Sequence, residues 1–409
     1  MLDFDDALAR LLAGAVPVAE VEVVPTQAAA GRILARGLCS PVDVPPLDNT
    51  SMDGYALRCA DVPIAGTRLP VAQRIAAGNV GRTLAPATAA RIFTGAPIPL
   101  GADAVVMQEQ CVVEGDDVTV NHVPRSGEWI RRRGEDIAAG SEVLAAGQRL
   151  SAAHVGVAAS VGAAQLGVFR RLRVALFSTG DELAMPGETL KPGGIYNSNR
   201  YTLRALLEGL GCQVADMGIV PDRREPTRAA LREAAAANDL ILTSGGVSVG
   251  EEDHVKPAVE AEGALDLWRI AIKPGKPLAF GLVRRPMTKV GAGATAVTAA
   301  FIGLPGNPVS SFVTFVMLVR PFILKAQGAR VVAPRAQRLR ADFSWPGDPR
   351  REFLRARLNA EGGLELFANQ SSGVLTSCVW ADGLIDNAPG QAIAIGDTVR
   401  FLPFSELLD

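Results

Sequence analysis

The chain has 409 residues, with Lys+Arg 41 against Asp+Glu 43 and a formal net charge of -2. That length is too great for one core and implies about three or four domains. The near-even charge supplies neither the basic field of a nucleic-acid binder nor an acidic solvating tail, so partners have to be inferred from sites.

Cys39, Cys59, Cys111, Cys212 and Cys378 are scattered and odd in number, against a disulfide framework or a Cys-x-x-Cys clip. His122, His154 and His254 lie far apart, so zinc is not expected and any metal should be oxygen-ligated. The longest apolar segment, Val309 to Val319, carries Ser310, Ser311 and Thr314 and stops at Arg320-Pro321, short of the roughly 20 residues of a membrane span. The N-terminus, MLDFDDALAR, is acidic and unlike a secretory signal. A cytoplasmic protein without a membrane span or nucleic-acid partner is expected.

In chain order, Leu2 to Ala13 has helical apolar spacing, and a second helical stretch is expected around Thr26 to Arg36. Pro41, Pro45 and Pro46 then read as a stiff extended connection. Asp48, Asn49, Thr50, Ser51 and Asp53 beside Gly54 read equally as a turn or a site. From Tyr55 to about Asp136, short β-like runs suggest a small β-rich module. Within it Thr94 ends a strand and can offer its hydroxyl to an anion, although a plain hairpin exit explains it as well. Arg131, Arg132 and Arg133 before Glu135 and Asp136 are either a salt-bridged loop or a phosphate grip, the loop being favoured. Residues 141 to 168 return to helical composition and can rejoin the N-terminal helices as a split domain.

From Arg173 strands and helices alternate, which specifies a parallel sheet covered on both faces. Strands are expected at Val174 to Phe177, Val214 to Val220 and Asp239 to Thr243, with helices at Asn197 to Leu210 and Glu225 to Ala237. Ser244, Gly245 and Gly246 follow the third strand where open α/β sheets bind ligands, and adjacent glycines can expose successive N–H groups to an anion. Glu251, Glu252 and Asp253 come next. Carboxylates beside a phosphate repel it unless a hard cation such as Mg²⁺ intervenes. The plain reading is a turn followed by a solvated acidic loop, with Asp253 as a helix N-cap. Lys273 and Lys276 end a strand expected at Leu267 to Ile272 and can neutralise an oxyanion. Glu182, Asp222 and Asp253 all follow strands, so a parallel sheet can bring them to one edge. Residues 281 to 297 read as a surface hairpin or insertion, Pro308 opens a helix reaching to Gly328, and residues 332 to 409 read as a small β-barrel or sandwich.

The motifs PPLDNTSMDGYALR, IFTGAPIPLGADAVVMQE, RRRGEDI, FSTGDEL, PGGIYNSNRYTL, TSGGVSVGEEDHVKP, IKPGKPLAFG and GLPGNPVSSF, in that order, resemble the molybdopterin molybdenumtransferases of MoeA type, also found as the E domain of gephyrin. The resemblance implies a multidomain α/β plus β fold. Residues 1–46 and 138–169 would form a split helical domain, 47–137 an inserted β-rich domain, 170–329 a three-layer, doubly wound α/β domain and 330–409 a C-terminal β-barrel. It also implies a homodimer whose active site is completed by the partner subunit, and a reaction in which adenylylated molybdopterin and molybdate, with Mg²⁺ or another divalent ion, give molybdenum cofactor and AMP. The upstream adenylyltransferase and apo-molybdoenzymes would be partners.

By motif, Ser244, Gly245, Gly246 and Gly250 would embrace nucleotide phosphates, and Glu182, Asp222 and Asp253 would hold or orient the cation. Lys273 and Lys276 would face molybdate. Asp53, Thr94 and Asp136 would complete the pocket from the partner subunit, and Pro305, Asn307, Ser310, Arg351 and Ser372 would be further substrate contacts. Arg223 follows Asp222 where many relatives carry an acid or amide, so a two-carboxylate grip at that strand end is in doubt. Two rival functions remain open: the preceding adenylylation step, and a scaffold role of gephyrin type, which would need an additional domain and linker.

Overall fold

In the computed structural model of the chain the described residues are 1–246, 254–285 and 298–408. The alternation after Arg173 builds a six-stranded sheet in the order Gln213–Val220, Arg173–Thr179, Leu240–Ser244, Thr298–Leu304, Pro277–Arg284, Gly263–Arg269. The first four strands run parallel, Pro277–Arg284 runs antiparallel to them, and Gly263–Arg269, antiparallel to its one neighbour, returns to the direction of the first four. Leu240–Ser244 is buried at every position, as expected of a central strand covered on both faces.

Period-two alternation divides the sheet's side chains between two cores. Val174, Leu176, Leu240, Leu242, Ile302 and Leu304 face one core with Leu203, Leu207, Phe312 and Ile323. Ala175, Phe177, Ile241 and Phe301 face the other, with Leu231, Ala234 and Val259. The chain passes from Arg173–Thr179 to one neighbour, then crosses to Leu240–Ser244 on the other side. The reversal opens a crevice beyond the carboxyl ends of those two strands.

Several expectations need correction. The first helix, Phe4–Gly14, packs Phe4, Ala7 and Leu11 into the core of the α/β sheet instead of joining a separate helical domain. Thr26 to Arg36 is not helical beyond one 3-10 turn, Thr26–Ala28. Gly31 lies at φ 75°, and Ile33 and Leu34 are buried by extended pairing with Arg149 and Val168, which outweighs local helical spacing. Around them Val21–Pro25 pairs with Gln165–Phe169, and Leu38–Cys39 with Glu142–Leu144, leaving Ala152–Ser160 as the helix of this region. The strand expected at Leu267 to Ile272 breaks after Arg269, because Ile272–Lys273 leaves the α/β sheet and pairs with Arg351–Leu358 of the C-terminal sheet. Residues 281–284 continue the strand Pro277–Arg284 instead of forming an insertion, while 286–297 lie outside the described residues.

Between the two halves of the N-terminal region, strands in the order Ala104–Met107, Gly54–Leu57, Ala89–Ile92, Thr67–Ile75, Asp117–Val120, Cys111–Glu114 form a second sheet. Arg132 pairs with Asp48 at 2.7 Å and Arg133 with Asp43 at 2.5 Å, so the basic cluster is a salt-bridged loop. In the C-terminal sheet the order is Ile272–Lys273, Arg351–Leu358, Gly383–Asn387, Thr398–Pro403, Gln337–Arg340, with Leu364–Leu366 also on Arg351–Leu358. A bridge from Ala341 to Leu364 brings the far edge back to that last strand.

The helix Pro308–Ala326 is the one helix among the described residues long and apolar enough to cross a membrane, yet it is almost wholly buried against the α/β sheet. It continues through Pro321 because Phe315–Val319 widens into a π turn, in which the Arg320 N–H donates to the Phe315 carbonyl. A proline cannot donate and crowds the preceding turn, and the wider turn relieves that conflict.

Candidate functional site

The crevice at the sheet reversal opens into a cavity of about 760 Å³. Strand ends of the α/β sheet provide Thr179, Gly180, Glu182, Asp222, Gly245 and Gly246 on one side. The Lys273–Pro277 loop, Pro305 to Asn307, Ser310, Arg350 and Gln370 to Ser372 provide the other.

The glycine turn is required by its surroundings. Gly245 has φ 90°, and a Cβ there would lie 2.6 Å from the Thr179 carbonyl oxygen. Gly246 has φ 64°, and its Cβ would lie 2.4 Å from Val255 Cγ2 and 2.7 Å from Thr179 Oγ1. Glycine alone adopts this path without strain while leaving backbone exposed to a ligand. Thr179 Oγ1 is buried and forms no hydrogen bond among the described residues, a spare polar atom directly beneath the turn. Opposite, Asn307 stands at the N-cap position of the long helix without a side-chain capping bond, at the end where the helix dipole favours an anion. The Val309 N–H donates to the Ser372 carbonyl at 3.0 Å, tying that helix end to the Gln370–Ser372 loop.

Cations and carboxylates are interleaved. Lys273 Nζ lies 3.1 Å from Glu352 Oε1 and 3.2 Å from Asp348 Oδ2. Partial burial opposes its charge, but the hydrogen bonds to Glu352 and Asp348 together prevail, and the Lys273 pKa is held above its ordinary value. Arg350 grips Asp348 at 2.9 and 3.0 Å and, through those bonds first, holds that carboxyl far below the usual carboxylate range. Lys276 is exposed at the cavity and has no ion-pair partner among the described residues.

Of the expected site residues, Glu182, Asp222, Gly245, Gly246, Lys273, Lys276, Pro305, Asn307, Ser310 and Ser372 line this one cavity. Others stand elsewhere. Ser244 is buried behind the wall, its hydroxyl accepting from Asn199 Nδ2 at 2.7 Å. Arg351 is turned away: it makes a forked contact with Asp386 at 2.6 and 2.8 Å and reaches Asp5 at 2.9 Å, bracing the first helix against the C-terminal sheet. Its neighbour Arg350, in the bend just before the strand and held by Asp348, lines the cavity. Asp53, Thr94 and Asp136 belong to the inserted region and do not line the cavity within the chain. The Asp53 carboxylate accepts both the Thr94 hydroxyl and N–H at 2.7 Å, which lowers its pKa. Asp136 is exposed, with its N–H on the Val44 carbonyl. Gly250 and Asp253 lie outside the described residues, and no group of three potential metal ligands occurs among the described ones.

Sequence reasoning missed Thr179, Gly180, Pro274, Gly275, Pro277, Gly306, Arg350, Gln370 and Ser371. Most adjoin a residue that was named, so widening each motif by a position finds them. Gln370 is different, because its side chain also bonds the Arg355 backbone at both ends, a role visible only after the strand is placed.

Fold and site together define a multidomain α/β protein with a polar cleft at the sheet reversal, lined by a glycine turn, carboxylates and basic side chains. Comparison with known proteins narrows this. Residues 2–162 match the MoeA N-terminal region (domain I and II), 175–325 a probable molybdopterin binding domain and 338–404 the MoeA C-terminal region (domain IV). A molybdopterin molybdenumtransferase of Haemophilus influenzae is 39% identical over 100% of both chains, and one of Nostoc sp. is 37% identical over 89% of this chain and 84% of its own. The crystal structure of the molybdopterin biosynthesis protein MoeA of Pyrococcus horikoshii superposes with a TM-score of 0.82 at 27% identity, covering 98% of this chain and 100% of that one. The chain belongs to the molybdopterin molybdenumtransferase family.

Proposed function

We propose that this chain is the transferase of molybdenum cofactor biosynthesis that brings molybdate to adenylylated molybdopterin and releases AMP. The observation that carries the reading is the single cavity in which the glycine turn, two carboxylates and Lys276 face one another. The turn and Thr179 receive the nucleotide phosphates, while Lys276, Arg350, Ser310 and Ser372 receive the molybdate oxygens. Lys273 supplies a fixed donor between them. Molybdate and a pyrophosphate repel, and unit charges about 4 Å apart in an effective dielectric of about 20 do so by roughly 4 kcal/mol, so the cationic wall is needed for them to meet.

Glu182 and Asp222 are hard oxygen donors on neighbouring strand ends and fit Mg²⁺ with water completing its shell, with Asp253 expected as a third. When bound, the cation would offset phosphate charge and polarise the phosphoanhydride. No residue of the cavity forms a Ser-His-Asp arrangement among the described residues, and the reading invokes no covalent enzyme intermediate. The wider organisation is proposed with it. A homodimer would present Asp53, Thr94 and Asp136 of the partner to this cleft, the C-terminal sheet would act as a small barrel closed through the Ala341–Leu364 bridge, and the protein would work in the cytoplasm with the upstream adenylyltransferase and apo-molybdoenzymes as partners. A four-part domain division, with the first helix moved to the α/β part and the N-terminal part built on paired strands, belongs to the same reading.

The test is AMP release from adenylylated molybdopterin with and without molybdate and Mg²⁺, followed by chromatography. Release dependent on both is expected. Adenylylation of molybdopterin from ATP, without molybdate-dependent AMP release, would overturn the reading in favour of the preceding step.

A further inference from the structure

Glu352 is fully buried, with a side-chain exposure of 0%, at the start of the strand Arg351–Leu358. One carboxylate oxygen lies 3.1 Å from Lys273 Nζ. The other accepts the indole N–H of Trp345 at 2.7 Å and an Asn387 amide hydrogen at 3.4 Å. The Lys273 ammonium also stands 5.7 Å from the Trp345 ring centroid. A buried carboxylate is costly unless it is paired; here Oε1 has the Lys273 ion pair but no aligned hydrogen bond among the described residues, and each partner of the group comes from a different segment of the chain. Lys273 is therefore held from three directions, by Glu352, Asp348 and Trp345, whereas Lys276, three residues on, is exposed and has no ion-pair partner among the described residues.

We propose that Glu352 is a positioning residue: it fixes the Lys273 ammonium at the cavity wall and offsets its charge, so that Lys273 orients an oxyanion by hydrogen bonding while Lys276 provides the net attraction. This rests on the reading that the cavity takes molybdate. The two lysines of the KPGKP loop thus divide orientation from attraction. The groups facing Lys273 are Asp348 and Glu352, with Arg350 on the far side of Asp348; Lys276, Glu182 and Asp222 share the cavity.

The experiment compares amine reactivity lysine by lysine. The full-length protein is treated with limiting acetic anhydride over a range of alkaline pH, with and without molybdate, and modification of Lys273 and Lys276 is read by peptide mass spectrometry. An ammonium held by two carboxylates resists deprotonation and reacts slowly. In the wild type Lys273 should acetylate at least tenfold more slowly than Lys276. Glu352→Gln retains shape and the indole hydrogen bond but removes the charge; it should raise Lys273 reactivity several-fold, shift its titration to lower pH and leave Lys276 unchanged. In turnover the variant should lose kcat while its KM for molybdate stays equal or falls, since a nearby negative charge has gone. A merely structural role would lower thermal stability without moving the Lys273 titration.

Trp345→Phe, which withdraws one tether from Glu352, should shift Lys273 in the same direction by less, and serves if Glu352→Gln does not fold. Unchanged Lys273 reactivity in a folded variant would overturn the proposal. If molybdate protects neither lysine, the functional reading fails while the positioning of Lys273 can still be read from the labelling.

Discussion

Gly245→Ala places a methyl group where the structure leaves room only for hydrogen. The new Cβ would sit 2.6 Å from the Thr179 carbonyl oxygen, a backbone atom of a buried strand that cannot swing aside. At φ 90° the residue also lies where an L side chain is strained. Left-handed strain costs about 1–2 kcal/mol and forced overpacking about 1–3 kcal/mol, so the native turn would be destabilised by roughly 2–5 kcal/mol. A protein whose net stability is on the order of 5–15 kcal/mol feels that as a large loss, or else the turn moves away from the crevice and stability is kept at the expense of the ligand. Gly306→Ala is the control: it lines the same cavity, but its Cβ would meet nothing within 4 Å. Urea unfolding and calorimetric titration with AMP separate the cases. Gly245→Ala should lose stability, AMP affinity or both, by at least tenfold where affinity is concerned, while Gly306→Ala stays within about 0.5 kcal/mol of wild type, as surface changes usually do. A Gly245→Ala protein that unfolds and binds AMP like the wild type would refute the assignment of the turn.

Arg350 and Arg351 should separate in molybdate binding. Arg350→Ala should weaken molybdate binding in equilibrium dialysis and, by releasing its hold on Asp348, also lower the melting temperature. Arg351→Ala leaves the nearly buried Asp386 carboxylate with Arg400 alone, at 3.3 Å, and should cost about 1.5–3 kcal/mol in urea unfolding, as losing hydrogen bonds to a charged group does. Asp348 predicts an acid-range effect. Its carboxyl is depressed by Arg350, so between the unfolded pKa of about 3.9 and its lower folded value the unfolded chain binds the extra proton; the stabilisation is complete above that window and lost as pH falls through it. Acid titration followed by circular dichroism should therefore show a shallower loss of stability below about pH 4 in Asp348→Asn than in the wild type.

The α/β sheet was legible because its signal is local: short buried runs, helix caps such as Asn197, whose side chain accepts the Arg200 N–H, and glycines at strand ends. On the cavity's sheet side, the parallel strands bring Glu182 and Asp222 to one edge, while Asp253, the third acid of that expectation, lies outside the described residues. What failed depended on partners remote in sequence. Ile33 and Leu34 have apolar spacing that suits a helix, but Arg149 and Val168 claim them as extended chain. Ile272 reads as the end of the preceding strand, yet it belongs to a ladder with Arg351. The Arg-Arg doublet could not be resolved from sequence either, because Arg351 is drawn away from the cavity by Asp386 and by Asp5 at the other end of the chain.

The interleaving of charges has a consequence for how the two anions bind. Lys273 and Arg350 are paired with Asp348 and Glu352, so much of the cationic wall is already offset within the protein, and Lys276 is left as the cavity cation without an ion-pair partner among the described residues. AMP and molybdate bound together should then oppose each other, because charges about 8 Å apart in an effective dielectric of about 20 still repel by about 2 kcal/mol. Without divalent cation, saturating AMP should weaken molybdate binding by roughly tenfold or more, and by linkage molybdate should weaken AMP binding by the same factor. Adding Mg²⁺ should relieve the antagonism, and Glu182→Gln with Asp222→Asn should abolish that relief while molybdate bound alone is held as tightly or more tightly, since two nearby negative charges have gone. Calorimetric titration of each ligand in the presence of the other gives all the terms. If molybdate affinity is indifferent to AMP with and without Mg²⁺, the two anions do not share this cavity, and the assignment of its two carboxylates to a bridging cation fails with it.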